Sequence, residues 1–254
     1  MLVKPKVTLI YHWGSEELVS AMADVLYRGY AFEEAMKRVS SDPKIVDRRI
    51  KRFLDDGHYS VFEFMGASWL VEGSRAFTHE LVRHRIASYW QESQRYVDYS
   101  KGNLRYVVPE GFLSQTDFFE AITKSYLNAR KELSPEDARY LLPNAMGSRI
   151  WVQMNAREFF INFLPLRTGL GAFHEIRLAA WMMFESVIEI FPRTSEWVLK
   201  NLTKLHPDYC RNADELKQHY RTEDCRIISI TDAFNKWGLQ VPEKIKNKLT
   251  VSNG

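Results

Sequence analysis

Cysteine is nearly absent from this 254-residue chain; Cys210 and Cys225 are the two present, both near the C-terminus. Two thiols make neither a disulfide framework nor a cysteine-rich metal centre, and they suit a reducing cytoplasm. Long apolar runs are missing as well. The longest, LAAWMMF at 178–184, falls far short of the roughly 20 residues of a membrane span. The N-terminal MLVKPKVTLIYHW holds too short an apolar run for a secretory signal. Neither sign of charge is in large excess, and a net charge of +3 argues against non-specific nucleic-acid binding, so any basic site must be local. Glycine-rich phosphate loops are lacking: GLG at 169–171 has neither a preceding strand nor the remaining glycines. No nucleophile-elbow pattern occurs either. These absences point to a cytoplasmic protein that binds any flavin or nucleotide without the common loops.

What remains is an ordinary globular composition, 45% apolar and 26% charged, on a chain long enough for one large domain or two small ones. KVTLIYHW (6–13) reads as a strand. Ser15 is placed to cap a helix over the next turns, and Asp42 with Pro43 opens another that Gly57 ends. FEFMGASWLVEG (62–73) reads as a strand, and SRAFTHELVRHRIA as a helix running into an arginine-rich stretch. NLRYVVPEGF (103–112) is strand-like, 117–133 is an amphipathic helix, and Ser134–Pro135 starts a short helix that Pro143 ends. SRIWVQMN is strand-like; AREFFINFLPL and AFHEIRLAAWMMFESVIEIF are helical. The last ~50 residues are polar and lack a clear repeat. We expect one α+β domain, 1–204, with a C-terminal extension, 205–254, of unassigned role.

Chemistry concentrates in few places. THELVRH resembles a zinc-protease helix, but its histidines, His79 and His84, are five apart. At about 100° per residue they diverge by about 140°, so no metal site is expected. RHRIASYWQESQRY (83–96) packs three arginines among aromatics. A guanidinium is a rigid fork of donors that matches a phosphate bidentately. Arg83 and Arg85 would both serve a ligand from a strand or from a loop at a helix end. Ser93 and Arg95 on an extended segment make a small anion site. On charge alone, a solvated arginine-rich turn explains the stretch equally well. Asn155, Arg157, Asn162 and Arg167 form a second cluster amid Phe, Leu and Ile. Such groups are costly to bury unpaired, so they are hydrogen-bonded within the fold, sit at helix-surface positions, or face a polar ligand at an interface between elements.

The Arg-His-Arg, seven residues, Ser, one residue, Arg-Tyr pattern of 83–96 resembles the signature of the flavin-dependent thymidylate synthases, ThyX. RVS (38–40), GHYSVFE (57–63), ARYLLP (138–143), NAR (155–157), NFLPLR (162–167) and EIR (175–177) resemble further blocks of that family, in its order. The resemblance implies an α+β fold with a mixed or antiparallel central sheet flanked by helices. It implies conversion of dUMP to dTMP, with FAD as cofactor, methylenetetrahydrofolate as carbon donor and NADPH as reductant. It also implies a homotetramer whose active sites draw on several subunits, with no nucleic-acid or membrane partner.

Carried over by position, Ser40, His58, Ser60, Glu63, Arg83, His84, Arg85, Ile86, Asn155, Arg157, Asn162 and Leu166 would contact FAD. Gln91, Glu92, Ser93, Gln94, Arg95, Arg139 and Glu80 would hold dUMP. Arg167 would sit at the uracil and polarise it, a catalytic role suited to a fixed cation. The chain departs from the pattern at Glu80, where a glutamine is common, at Gly171, where a histidine is common, and at Trp90. Glu80 and Gly171 motivate a second reading, a catalytically altered FAD- and nucleotide-binding homologue. An RNA-binding module is a third, disfavoured by the low net charge.

Overall fold

The computed structural model describes residues 1–251 except Asn103, Leu113 and Gln115. A short strand β1 (Leu2–Val3) precedes β2 (Lys6–Trp13), whose β-branched and aromatic residues suit a pleated surface. Three helices follow: α1 (Glu16–Arg28), α2 (Phe32–Ser41) and α3 (Pro43–Asp55). Their starts match the local chemistry. Ser15 Oγ accepts from the Leu18 amide at 3.1 Å, and Asp42 Oδ1 accepts from Lys44 with Pro43 next in line. Each cap stabilises its helix by about 1 kcal/mol. Gly57, at φ 74°, ends the third helical region as expected.

The next segment differs from expectation. Tyr59–Phe64 is a 3-10 turn, and strand β3 begins at Gly66 and runs to Ser74. Gly66 marks where three strands crowd: a Cβ there would lie 2.4 Å from the Trp13 ring and 2.5 Å from the Met154 carbonyl oxygen. Helix α4 (Arg75–Leu81), capped by Ser74, stops before the arginines instead of running into them. Residues 82–86 form a turn that leads into β4 (Ala87–Gln91).

The strand-like 103–112 yields only the two-residue β5 (Tyr106–Val107), paired in parallel with β1. Asn103, the first residue of that stretch, lies outside the described residues. Helix α5 (Thr116–Ala129) and the single turn α6 (Pro135–Ala138), with Ser134 as its cap, precede the long strand β6 (Gly147–Asn155).

The central sheet has the order β2-β3-β6-β4, and all its pairs are antiparallel. Ala67, Trp69 and Val71 of β3 and Ile150, Val152 and Met154 of β6 point to the buried face. The alternate residues Trp151 and Trp90 point to the other face, where their rings stack at 6.1 Å.

After β6 the chain was expected to be an ordinary helix. Instead Arg157–Phe163 winds as a π-helix and passes into α7 (Leu164–Thr168). Such wide turns recur at functional sites. Helix α8 (His174–Val187) then crosses the buried face, with Ser186 Oγ accepting from Trp69 Nε1 at 2.9 Å. Helix α9 (Pro192–Leu205) packs beside α3.

The polar tail is ordered as α10 (Ala213–Tyr220), α11 (Cys225–Asn235) and α12 (Glu243–Val251). Ile228, Phe234, Trp237 and Ile245 from it join the main apolar core. Arg177 of α8 pairs with Asp232 of α11 at 2.9 Å. The two cysteines, expected as free thiols suited to a reducing cytoplasm, instead form one bridge, Cys210 joined to Cys225, because the loop after α9 folds back on the start of α11.

Candidate functional site

The turn after α4 is held by β4. The Tyr89 hydroxyl sits between the carbonyls of Leu81 at 2.8 Å and His84 at 2.7 Å and shares its one proton between them, meeting groups that a continuing helix would have used. Burial, and then the Glu158 carboxylate, push this hydroxyl well above its ordinary pKa, so it stays a donor. The turn points His84 inward, 8% exposed, and leaves Arg83, Arg85 and Ile86 at the surface. Neither arginine has a carboxylate partner among the described residues.

His84 meets the π-helix. Its Nδ1 lies 2.9 Å from Glu158 Oε1, and its ring packs edge-on against Phe163 at 4.9 Å. On the other side, Arg167 Nε donates to His84 Nε2 at 2.9 Å. Arg167 Nη1 donates to Glu80 Oε2 at 3.2 Å. Asn162 donates to Glu158 Oε2 at 2.8 Å, and Asn155 Oδ1 accepts from the Glu158 amide at 2.8 Å. Burial works to raise the Glu158 carboxyl, but hydrogen bonds from His84 and Asn162 outweigh it and hold it below its ordinary value. Thus five of the residues singled out in the sequence, Glu80, His84, Asn155, Asn162 and Arg167, belong to one network.

Glu158 is its centre, and sequence reasoning passed it over. The available signal was a carboxylate inside the run EFFINF, since a charge on such a face must be paired when buried. Tyr89 was missed too, having no charge to mark it.

A second group lies across the π-helix. Arg157 pairs with Glu63 at 2.6 Å, linking NAR to the 3-10 turn that carries Ser60. His58 and Ser60 are exposed there, and Ser40 is exposed near the end of α2. Leu166 is 39% exposed.

The third group sits at the far end of β4. Gln91 points inward and donates to Thr78 Oγ1 and Ser148 Oγ. Glu92 is engaged by the Tyr99 hydroxyl at 2.9 Å, and its amide donates to the Arg149 carbonyl. Ser93 Oγ accepts from the Arg95 amide, and Arg95 pairs with Glu136 at 2.8 Å on a largely exposed surface. Arg139 follows on the turn after α6, its guanidinium over Tyr140. Gln94 is half-buried. Among the described residues no cluster of three or more metal-ligating side chains occurs.

The architecture has a counterpart among solved structures. A crystal structure of the UMP/dUMP methylase PolB from Streptomyces cacaoi, bound with 5-Br dUMP, superposes with a TM-score of 0.66. It shares 24% identity and covers 77% of this chain and 95% of that one. Residues 8–193 match the family model described as thymidylate synthase complementing protein. Pyrobaculum aerophilum has a relative named flavin-dependent thymidylate synthase that is 46% identical over 94% of this chain and 93% of its own. A Pyrococcus furiosus protein of the same name is 36% identical over 72% and 78%. The chain belongs to the thymidylate synthase complementing protein family, the ThyX enzymes.

Proposed function

We propose that this chain is a flavin-dependent thymidylate synthase that converts dUMP to dTMP, with methylenetetrahydrofolate as carbon donor and NADPH as reductant of FAD. Arg167 carries the reading. Two of its donors are fixed, by His84 and Glu80, and the side chain is 15% exposed, so its remaining edge is available to a ligand. A cation held in this way stabilises negative charge developing on a uracil ring without reorganising.

The donor set suits a flavin nucleotide. Arg83 and Arg85 are exposed cations without carboxylate partners among the described residues, fit for a diphosphate, and Ile86 beside them is 64% exposed, fit for a ring. With them we assign Ser40, His58, Ser60, Glu63, His84, Asn155, Arg157, Asn162 and Leu166 to FAD. Bound flavin would supply the hydride that completes the methyl group. We assign the Gln91–Gln94 segment, Arg95, Arg139 and Arg167 to dUMP, with Arg95 and Arg139 at the phosphate, and place Glu80 at the edge of that site, where it holds Arg167. Ser93, whose hydroxyl accepts from the Arg95 amide, has no adjacent base and serves as a binding residue.

Within one chain, Arg85 and Ser93 lie beyond opposite ends of the five-residue β4, a strand about 16 Å long at ~3.3 Å per residue. That spacing supports sites assembled from several subunits of a homotetramer. We read 1–204 as the catalytic domain and 205–254 as an extension that buttresses α8 through Asp232. We place the protein in the cytoplasm; no described helix is long and apolar enough to cross a membrane.

The test is dTMP formation by the purified, FAD-reconstituted chain given dUMP, methylenetetrahydrofolate and NADPH. A flavin-loaded protein that forms none would overturn the enzyme and leave the catalytically altered homologue.

A further inference from the structure

We infer that Glu158 is a positioning residue: it holds His84 in the Nδ1–H tautomer, so that Nε2 can accept from Arg167 and aim its guanidinium. This rests on the reading of Arg167 as the uracil cation. The tautomer itself follows from the hydrogen bonds. A guanidinium only donates, and Arg167 Nε lies 2.9 Å from His84 Nε2. That nitrogen must therefore be the lone-pair acceptor. The single ring proton of a neutral imidazole is then on Nδ1, facing Glu158 Oε1 at 2.9 Å. The opposite tautomer would set N–H against N–H at Arg167, and a doubly protonated ring would set two cations together there.

Glu158 is well fixed for the task. Its second oxygen takes the Asn162 amide at 2.8 Å, and its own backbone amide is tied to Asn155 Oδ1 at 2.8 Å. Rotating the carboxylate breaks both side-chain bonds. It is 4% exposed, and its neighbours Phe159, Phe160 and Phe163 are buried, so water has little access to compete. The arrangement uses the logic of a carboxylate–imidazole pair that orients a third group. Here the third group is a cation that donates to the imidazole. The π-helix contributes directly, since it carries Glu158 and Asn162 on one wall while Arg167 follows on α7.

The experiment uses the full-length chain labelled with 15N-histidine, its His84 signals identified by their loss in His84→Gln. We expect the wild type to show Nδ1–H at His84, and Glu158→Met to lose that signature. In dTMP formation, Glu158→Met should lower kcat about tenfold or more, with flavin content and Tm checked alongside. Glu158→Gln, which keeps an oxygen acceptor, should recover part of the loss. In a His84→Gln background, Glu158→Met should cost nothing further, because its effect runs through the imidazole. If Glu158→Met does not fold, the Glu158→Gln/His84→Gln cycle decides on the same criterion. An Nε2–H ring in the wild type, or losses that multiply in the double variant, would overturn the proposal. A wild type that makes no dTMP would overturn the function instead, and the tautomer measurement would still decide the role of Glu158.

Discussion

Arg167 donates its Nε–H to His84 Nε2 at 2.9 Å, although 83 residues separate them in the chain. A second donor of the same guanidinium meets Glu80 at 3.2 Å. This two-point hold requires a fork. Arg167→Ala should therefore lower kcat for dTMP formation about 10²- to 10³-fold, the usual effect of deleting one preorganised donor. Arg167→Lys should not restore it, because an ammonium cannot meet both partners in that geometry. Steady-state kinetics at matched flavin content measures this; full activity in either variant would remove Arg167 from the chemistry.

Glu80 places a carboxylate at the edge of the proposed nucleotide site. The structure gives it a partner, since it turns toward Arg167. The carboxylate is 41% exposed, so the pair adds at most ~1 kcal/mol to stability. On the proposed assignment of Arg167 to dUMP, its consequence falls on binding, because the anionic nucleotide would approach past a negative charge that also occupies one arginine donor. Glu80→Gln should leave Tm within a degree or two and lower the KM for dUMP by about 3- to 10-fold. A raised KM would show that the carboxylate itself contacts the nucleotide.

Features set by local chemistry were legible from the residues alone. Ser15, Asp42 and Ser134 cap helices because a short oxygen side chain meets an amide two or three residues on, and that geometry needs no tertiary partner. The end of α4 was not legible. Nothing in LVRH opposes a helix; the Tyr89 hydroxyl, arriving from β4, takes the carbonyls that would have continued it. The arginines were visible as donors, yet their grouping was not, since His84 and Arg167 meet only once α4 and the π-helix pack together. Glu158 escaped notice because it stands among the phenylalanines that bury it. Trp90 is now accounted for by alternation: as an outward residue of β4 it stacks on Trp151, away from the network.

The Cys210–Cys225 bridge closes a 15-residue separation and ties the loop after α9 to the first turn of α11. A loop of that size is worth roughly 3 kcal/mol in the chain-entropy account. For a chain of this size that corresponds to a Tm lower by roughly 5–10 °C on Cys225→Ser or on reduction. Thermal scans with and without reductant test it, with the Cys225→Ser protein as the reductant-insensitive control. An unchanged Tm in both would mean that the apolar contacts of Ile228 and Phe234 alone secure the tail.

Glu175 gives the fold a pH dependence of identifiable sign. It lies in the first turn of α8, 2% exposed, and receives the Ser74 amide at 2.6 Å and the Ser74 hydroxyl at 2.5 Å. Burial dominates and pushes its carboxyl from 4.5 up to about 7, against the two hydrogen bonds from Ser74. The folded protein thus binds this proton more tightly than the unfolded chain does. Its favourable contribution is complete below about pH 4.5 and is lost as pH rises through about 7. The gap corresponds to roughly 3 kcal/mol as an upper figure. Glu175→Gln can accept from the Ser74 amide and donate to the hydroxyl at any pH, so it should flatten this part of the profile. Relative to the variant, the wild type should lose several degrees of Tm between pH 5 and pH 8. Parallel profiles for the two proteins would mean that Glu175 stays ionised in the fold and that the Ser74 hydrogen bonds outweigh its burial.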